Sequence, residues 1–267
     1  MPVYKKYKTN PVLKNYVRFY FYYQCTPVFG SNPPQRIVPL GNPELVFPIP
    51  FPHKTQKVSA HFDAYINALC SKHLFTGINS TVRFIGASLY PWSIPIFLGV
   101  NTSEVSDCVY SLEQILSEFR TLAQQISEIE DPLKAIYCLE KFLLNLLSSG
   151  RREDLLASFM AKSIILSKGK STLESMHNLH TLTEKQAVER FKRSIGLPPK
   201  RFIRLVRFSN ALQQLKISKR PSLTDIAYKC GYFDQSHFIN DFKLFSGTTP
   251  RKYLTEQHPI TDFMLNV

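Results

Sequence analysis

Residues 222–254 read SLTDIAYKCGYFDQSHFINDFKLFSGTTPRKYL, and this stretch decides how the second half of the chain folds. Leu223, Ile226 and Ala227 are spaced as one apolar face of a short helix, and Gly231 stands where the chain must then turn sharply. Asp234 follows as the N-cap of a second helix. In that helix Phe238, Phe242 and Phe245 recur at intervals of four and three, so they bury one face. Gln235, Ser236, Ile239, Asn240 and Lys243 are left on the other. An apolar back, an amide-rich front and a glycine turn describe a helix-turn-helix whose second helix reads DNA. Gln235 and Asn240 amides suit adenine edges in the major groove, and Ile239 suits a thymine methyl. A helix serving only to pack has no use for Gln235 and Asn240 on its open face.

The same residues carry a family resemblance. Gly231, Tyr232, Ser236, Phe238, Phe242, Lys243, Gly247, Thr249, Pro250 and Tyr253 meet the signature of the AraC/XylS transcriptional regulators at fixed offsets. Membership implies an earlier copy of the unit, and residues 171–197, STLESMHNLHTLTEKQAVERFKRSIGL, supply it. Leu173 and Met176 would pack its first helix and Thr183 would cap the second. Val188, Phe191 and Ile195 follow at helical spacing before Gly196. The copies align Phe191 with Phe242, Lys192 with Lys243, Gly196 with Gly247 and Pro199 with Pro250. Between them, Phe202, Leu205, Phe208, Leu212 and Leu215 form one stripe of a long connecting helix. If both heads enter one face of a duplex, they lie about one turn (~34 Å) apart.

The resemblance places Lys185, Val188 and Glu189 of the first head against bases, with Ala187 where a bulky aliphatic residue is usual. Glu189 can face DNA by accepting from a cytosine amino group. Alternatively the first head only positions the protein, through Arg190, Lys192 and Arg193. Lys200, Arg201, Arg204 and Arg207 line one side of the connecting helix; with Lys243, the first three of these complete the expected phosphate contacts. Charge divides accordingly. Residues 151–267 hold 20 Lys and Arg against 10 Asp and Glu, a net of +10, whereas residues 1–150 hold 13 against 10, only +3. A basic excess confined to one half is the electrostatic footprint of phosphate binding.

A chain of 267 residues with 44% hydrophobic residues builds two cores. The expectation is an α+β protein in two domains: a β-rich, barrel- or sandwich-like sensor domain with two trailing helices (1–150), then an all-α domain of two helix-turn-helix units (151–267). Apolar periodicity lapses at Gly150, Arg151 and Arg152, the expected joint. Strands are expected within 16–23, 44–49, 75–85 and 94–100, where β-branched and aromatic residues alternate with prolines. From Ser111 the period turns helical through Leu112, Ile115, Leu116, Phe119 and Leu122. Pro132 opens another helix in which Leu139, Phe142, Leu143, Leu146 and Leu147 form a nearly complete apolar ring. Residues 38–47, 84–100 and 106–116 resemble the sensor domain of one branch of the family. Leu40 stands where that branch has aspartate, and Tyr90-Pro91-Trp92 where it has Arg-Pro-Gly.

No run reaches the ~20 apolar residues of a membrane span, and the lysine-rich start lacks an apolar h-region. Five cysteines without a C-x-x-C pair read as free thiols in a reducing cytoplasm. His53, His61 and His73 are spaced too widely for a barrel metal site, and no glycine-rich phosphate loop or nucleophile elbow occurs. Glu44 beside Pro43 is either a buried pocket carboxylate or an edge residue. Neither cofactor nor catalytic residue is therefore expected. The expected partners are double-stranded DNA, a small-molecule effector, RNA polymerase and a second copy of the chain paired through the apolar ring. A DNA-alkylation repair protein bearing the same DNA-binding module is the alternative. It would need a reactive cysteine in a P-C-H-R setting, which Cys25, Cys70, Cys108, Cys138 and Cys230 all lack.

Overall fold

The computed structural model describes residues 3–26, 35–51, 63–76, 81–171, 183–218 and 222–265. It forms two units, each compact in itself. The first gathers Met1–Pro34, Asn42–Ala68 and Gly77–Glu153; the second gathers Gln35–Gly41, Leu69–Thr76 and Asp154–Val267.

The first unit is built on an antiparallel sheet of six strands: β1 (Val3–Tyr7), β2 (Val17–Cys25), β4 (Glu44–Pro48), β5 (Tyr65–Asn67), β7 (Val82–Leu89) and β8 (Val109–Ser111), in the order β1-β2-β7-β4-β5-β8. Among the described residues β1 and β8 are its two edges, so the sheet is open and no closed barrel forms. Helices α4 (Glu118–Ser127) and α5 (Pro132–Leu147) cover one face instead. There Tyr20, Leu45, Phe47, Ile66, Ile85 and Ala87 meet Phe119, Leu122, Leu139 and Leu143 in one core. The opposite face follows from register: Lys6, Phe21, Gly86, Val46 and Tyr65 lie side by side across five strands. Gly86 is required there, because a Cβ at that position would stand 2.4 Å from the Phe21 ring.

Two expected elements differ. Ile94–Leu98 was expected as strand and is helix α1, preceded by a 3-10 turn at Pro91–Ser93 and closed by Gly99 in the left-handed region. Trp92 Nε1 donates to the Asn15 carbonyl and Ser93 Oγ to that of Tyr16, which anchors the turn to a distant segment. After α2 (Thr102–Val105), the helix expected from Leu112 breaks into α3 (Leu112–Ile115) and α4, because Leu116 is extended. Helix α5 starts at Pro132 under an Asp131 cap that accepts from the Leu133 and Lys134 amides. Its apolar ring is largely absorbed within the unit. Leu139, Leu143 and Leu146 are buried, and Phe142 meets Phe119 edge-on at 5.0 Å.

The second unit holds α6 (Leu155–Leu166), α7 (Glu184–Ile195), α8 (Pro199–Ile217), α9 (Leu223–Lys229), α10 (Gln235–Ser246), α11 (Pro250–Thr255) and α12 (Pro259–Leu265). Phe191, Phe202, Phe208, Phe238, Phe242, Phe245 and Tyr253 are fully buried in its aromatic core. The described residues from 154 onward contribute only helices, as expected, and two short strands from earlier in the chain join them in this unit. The strands β3 (Gln35–Ile37) and β6 (Leu74–Thr76) pair Arg36 with Phe75 inside this unit. Arg36 also lies 3.4 Å from Glu256, just past α11. The residues expected to form the first helix of the earlier copy, Leu173 and Met176, lie outside the described residues.

Candidate nucleic-acid interface

Helix α10 is delimited by local chemistry. Asp234 accepts a hydrogen bond from the His237 amide at 2.7 Å, and Gly247 closes the helix at φ +73°. Gly231, at φ +82°, makes the preceding turn. The helix then sorts its side chains as the spacing predicts. Phe238, Asp241, Phe242 and Phe245 are buried; Ser236, Asn240 and Lys243 are exposed; Gln235 and Ile239 are half-buried at the border. His237 meets the Tyr232 ring edge-on at 5.3 Å. The free arc of α10 is therefore amide, hydroxyl and ammonium, with Ile239 at one edge and an exposed Leu244 beyond Asn240.

Helix α7 begins with a reciprocal cap: Thr183 Oγ1 accepts from the Gln186 amide, while Gln186 Oε1 accepts from the Thr183 amide. Phe191 and Ile195 are buried, and Lys185, Glu189, Lys192 and Arg193 are exposed. Val188 is half-buried, on the edge of the packed face. Arg190 is paired with Asp154, the residue that also caps α6 by accepting from the Ala157 amide. The arginine thus joins α7 to the start of α6 with its side chain still half-exposed.

The connecting helix α8 carries the buried stripe Phe202, Leu205, Phe208, Leu212 and Leu215, all without exposure. Its basic residues divide into two kinds. Lys200 is exposed and Arg201 half-buried. Arg204 donates from Nε (3.1 Å) and Nη2 (2.6 Å) to one carboxylate oxygen of Asp241 on α10. Arg207 donates from Nε (3.1 Å) and Nη2 (2.9 Å) to the Gly169 carbonyl and lies 5.4 Å from the Tyr232 ring. Both are struts of the scaffold, a role that sequence spacing did not reveal. Asp241 is only 1% exposed, and its other oxygen has no hydrogen-bond partner.

Sequence reading also missed an exposed basic group beside the glycine turn. Lys168 and Lys170 follow α6, and the Lys170 chain lies against Gly231. With Lys229 they act electrostatically on Cys230, whose thiol burial raises.

The histidines offer no metal site in this structure's described part: among the described residues no group of three or more His, Cys, Asp or Glu could hold an ion. His53 and His61 lie outside the described residues, and His73 meets Phe75 edge-on at 5.3 Å. Cys25, Cys70, Cys108, Cys138 and Cys230 are all free thiols. No described helix is long and apolar enough to cross a membrane.

In the first unit, Glu44 is held in the sheet where Asn67 Nδ2 reaches its carboxylate at 3.5 Å. Burial raises its carboxyl to about 7, against the pull of Asn67, Arg18 and Lys6. Lys6 lies 4.4 Å over the Phe19 ring, and burial with the Arg18 charge lowers its ammonium to about 8.

Comparison with known proteins gives each unit a relative. A helix-turn-helix domain family matches residues 180–256. A domain of unknown function, DUF6597, matches residues 5–111. The HTH-type transcriptional activator RhaS of Citrobacter koseri is 33% identical over 78 residues, 29% of this chain and 28% of that protein. RhaS of Escherichia coli K12 is 38% identical over 60 residues, 22% of this chain and 21% of that protein. The chain thus spans about a quarter of the length of these curated relatives. Among solved structures, ToxT from Vibrio cholerae O395 superposes with a TM-score of 0.45 at 11% identity, over 88% of this chain and 95% of that one.

Proposed function

We propose that the protein is a sequence-specific DNA-binding activator of transcription of the AraC/XylS type, a reading supported by the helix-turn-helix domain family that matches residues 180–256 and by the RhaS activators similar to this chain. The observation that carries the reading is the free arc of α10. Ser236, Asn240 and Lys243 are exposed on a helix whose opposite side is locked by three phenylalanines, with Gln235 and Ile239 at the margin. Such a surface reads base edges without costing the fold anything when the duplex is absent. Lys185, Val188 and Glu189 form the corresponding edge of the first head. Arg190, Lys192, Arg193, Lys200, Arg201, Arg204 and Lys243 supply phosphate contacts, with Arg190 and Arg204 doing so from anchored positions. Helix α8 has 19 residues, about 28 Å of axis, which suits two heads one helical turn apart.

The first unit is the effector-binding part of this reading. Support comes from Glu44, half-buried beside Asn67, and Lys6, over the Phe19 ring, ionisable groups placed on an aromatic sheet face. Activation implies a contact with RNA polymerase in the cytoplasm, and the curated relatives carry the name of a transcriptional activator. Footprinting on the promoter region beside the protein's own gene tests the proposal. Protection of two adjacent major-groove segments on one duplex face is the expected result. Uniform, sequence-independent protection overturns it.

A further inference from the structure

Phe233 stands directly before Asp234, the cap of α10, and is 84% exposed, more than any other large hydrophobic side chain among the described residues. A hydrophobic residue directly before a cap ordinarily packs against the one four places past it, here Phe238. Tyr232 makes that contact instead: it is 3% exposed and meets the Phe238 ring at 5.3 Å. The fold therefore leaves the Phe233 ring in water while it fixes the backbone on both sides. Gly231 turns the chain at φ +82°, the Tyr232 amide donates to the Ala227 carbonyl at 2.9 Å, and Asp234 caps α10. Thr224, in the first turn of α9, donates its hydroxyl to Gln235 Oε1 at 2.7 Å and ties the starts of the two helices together.

The position of the ring decides what covers it. In a helix-turn-helix the N-terminal end of the second helix is the end that meets base edges in the major groove. Phe233 lies three residues ahead of Ser236 in the exposed series Ser236, Asn240 and Lys243, so it continues the surface already described. The Lys170 chain lies against Gly231, two residues away, and brings to the same turn the positive charge that suits a phosphate backbone alongside. A phenyl ring forms no ordinary hydrogen bond, and the apolar group that base pairs display in the major groove is the thymine C5 methyl. We propose that Phe233 is a specificity-determining residue that reads a thymine through this methyl. This rests on the DNA-binding reading above and deepens it.

The test first selects a binding site for the full chain from a duplex randomised over about two helical turns (~20 base pairs). Deoxyuridine then replaces each thymine of that site in turn, which removes the methyl and leaves base pairing intact. One such replacement is expected to weaken binding of the unaltered protein roughly threefold to fivefold, the worth of about one buried methyl group. Phe233→Ala is expected to bind the thymine and uracil forms of that position equally, with an unchanged denaturation midpoint because the ring is exposed. Phe233→Leu is expected to keep the preference. Ile239→Ala is expected to keep it too, which separates the two apolar side chains. A site in which no methyl matters, or a methyl preference that survives Phe233→Ala at every position, overturns the assignment while the regulator reading stands. So does a Phe233→Ala protein that binds DNA as before but no longer activates transcription, since the ring then faces a protein. A library that returns no motif overturns the regulator reading, and the role of Phe233 falls with it.

Discussion

Arg204 on the connecting helix and Asp241 on the reading helix are joined by two hydrogen bonds to a single oxygen, at 3.1 and 2.6 Å. The carboxylate is buried and the arginine side chain is 45% exposed. The guanidinium thus reaches inward from the surface to neutralise a charge behind the exposed arc of α10. The pair fixes the roll of α10 relative to α8, and with it the direction in which Asn240 and Lys243 point.

Removing one partner leaves a buried carboxylate with no hydrogen bond to either oxygen. Arg204→Ala is expected to lower stability in chemical denaturation by about 1–3 kcal/mol and to reduce the salt slope of DNA binding by about one. Arg204→Lys keeps the charge and loses the fork. It is expected to lose stability while retaining the salt slope. A variant of either kind with unchanged stability would remove the strut from this account.

Asn240 stands on the free arc with no packing to lose. Asn240→Ala is expected to weaken binding to a selected site by about 1–3 kcal/mol and to leave binding to random duplex nearly unchanged. Equal loss on both would assign Asn240 to the backbone instead.

His237 packs edge-on to Tyr232, so its contribution is to the helix rather than to phosphate. His237→Gln is expected to leave DNA affinity intact. A loss of affinity in the variant without loss of stability would place His237 against the duplex instead.

Glu44 makes the stability of the first unit depend on pH. Its carboxyl is raised from 4.5 to about 7, chiefly by burial. The folded form therefore binds the proton more tightly than the unfolded chain, so stability is fullest below about pH 4.5 and is lost as pH rises through 7. The window is clear of Lys6, which burial lowers only to about 8. The whole excursion is about 3 kcal/mol, and Glu44→Gln is expected to abolish it. Trp92, the only tryptophan in the chain, lies in this unit and reports its unfolding by fluorescence. An unaltered pH profile in the variant would place the titration elsewhere.

Gly247 closes α10 with φ +73°, and a Cβ there would stand 2.2 Å from the His73 ring. Gly247→Ala is expected to cost about 1–2 kcal/mol for the left-handed backbone alone, and more for the ring. Adding His73→Ala is expected to recover the second part only, as a double-mutant cycle would show.

What could be read in advance followed from how far each signal reaches along the chain. Helix α10 was legible because Asp234, the three phenylalanines and Gly247 all act within a few residues of one another. The cap at Thr183 and the start of α5 at Pro132 are equally local. Ile94–Leu98 misled because a β-branched run favours strand, while the helix there follows a turn held by carbonyls of Asn15 and Tyr16, 77 residues away. The open face of α10 could be listed from spacing, but not its chemistry. The Thr224 hydroxyl on Gln235 and the engagement of Arg204 and Arg207 depend on how helices meet, which periodicity does not encode. Sheet closure failed for the same reason, since strand order is a property of the whole unit.

The ladder of β3 and β6 carries a consequence for synthesis. Arg36, His73 and Phe75 leave the ribosome early, yet Gly247 and Glu256, against which Arg36 and His73 rest, are among the last residues made. At ordinary elongation rates the interval is roughly 10–40 s. Through it, a half-buried imidazole and a guanidinium have no site to occupy. Cutting at residue 154 is therefore expected to part the helices from β3 and β6, which belong to the same unit. Excised in that way the helices would leave behind two strands of their own wall, and a nascent chain halted before residue 247 would be in the same position.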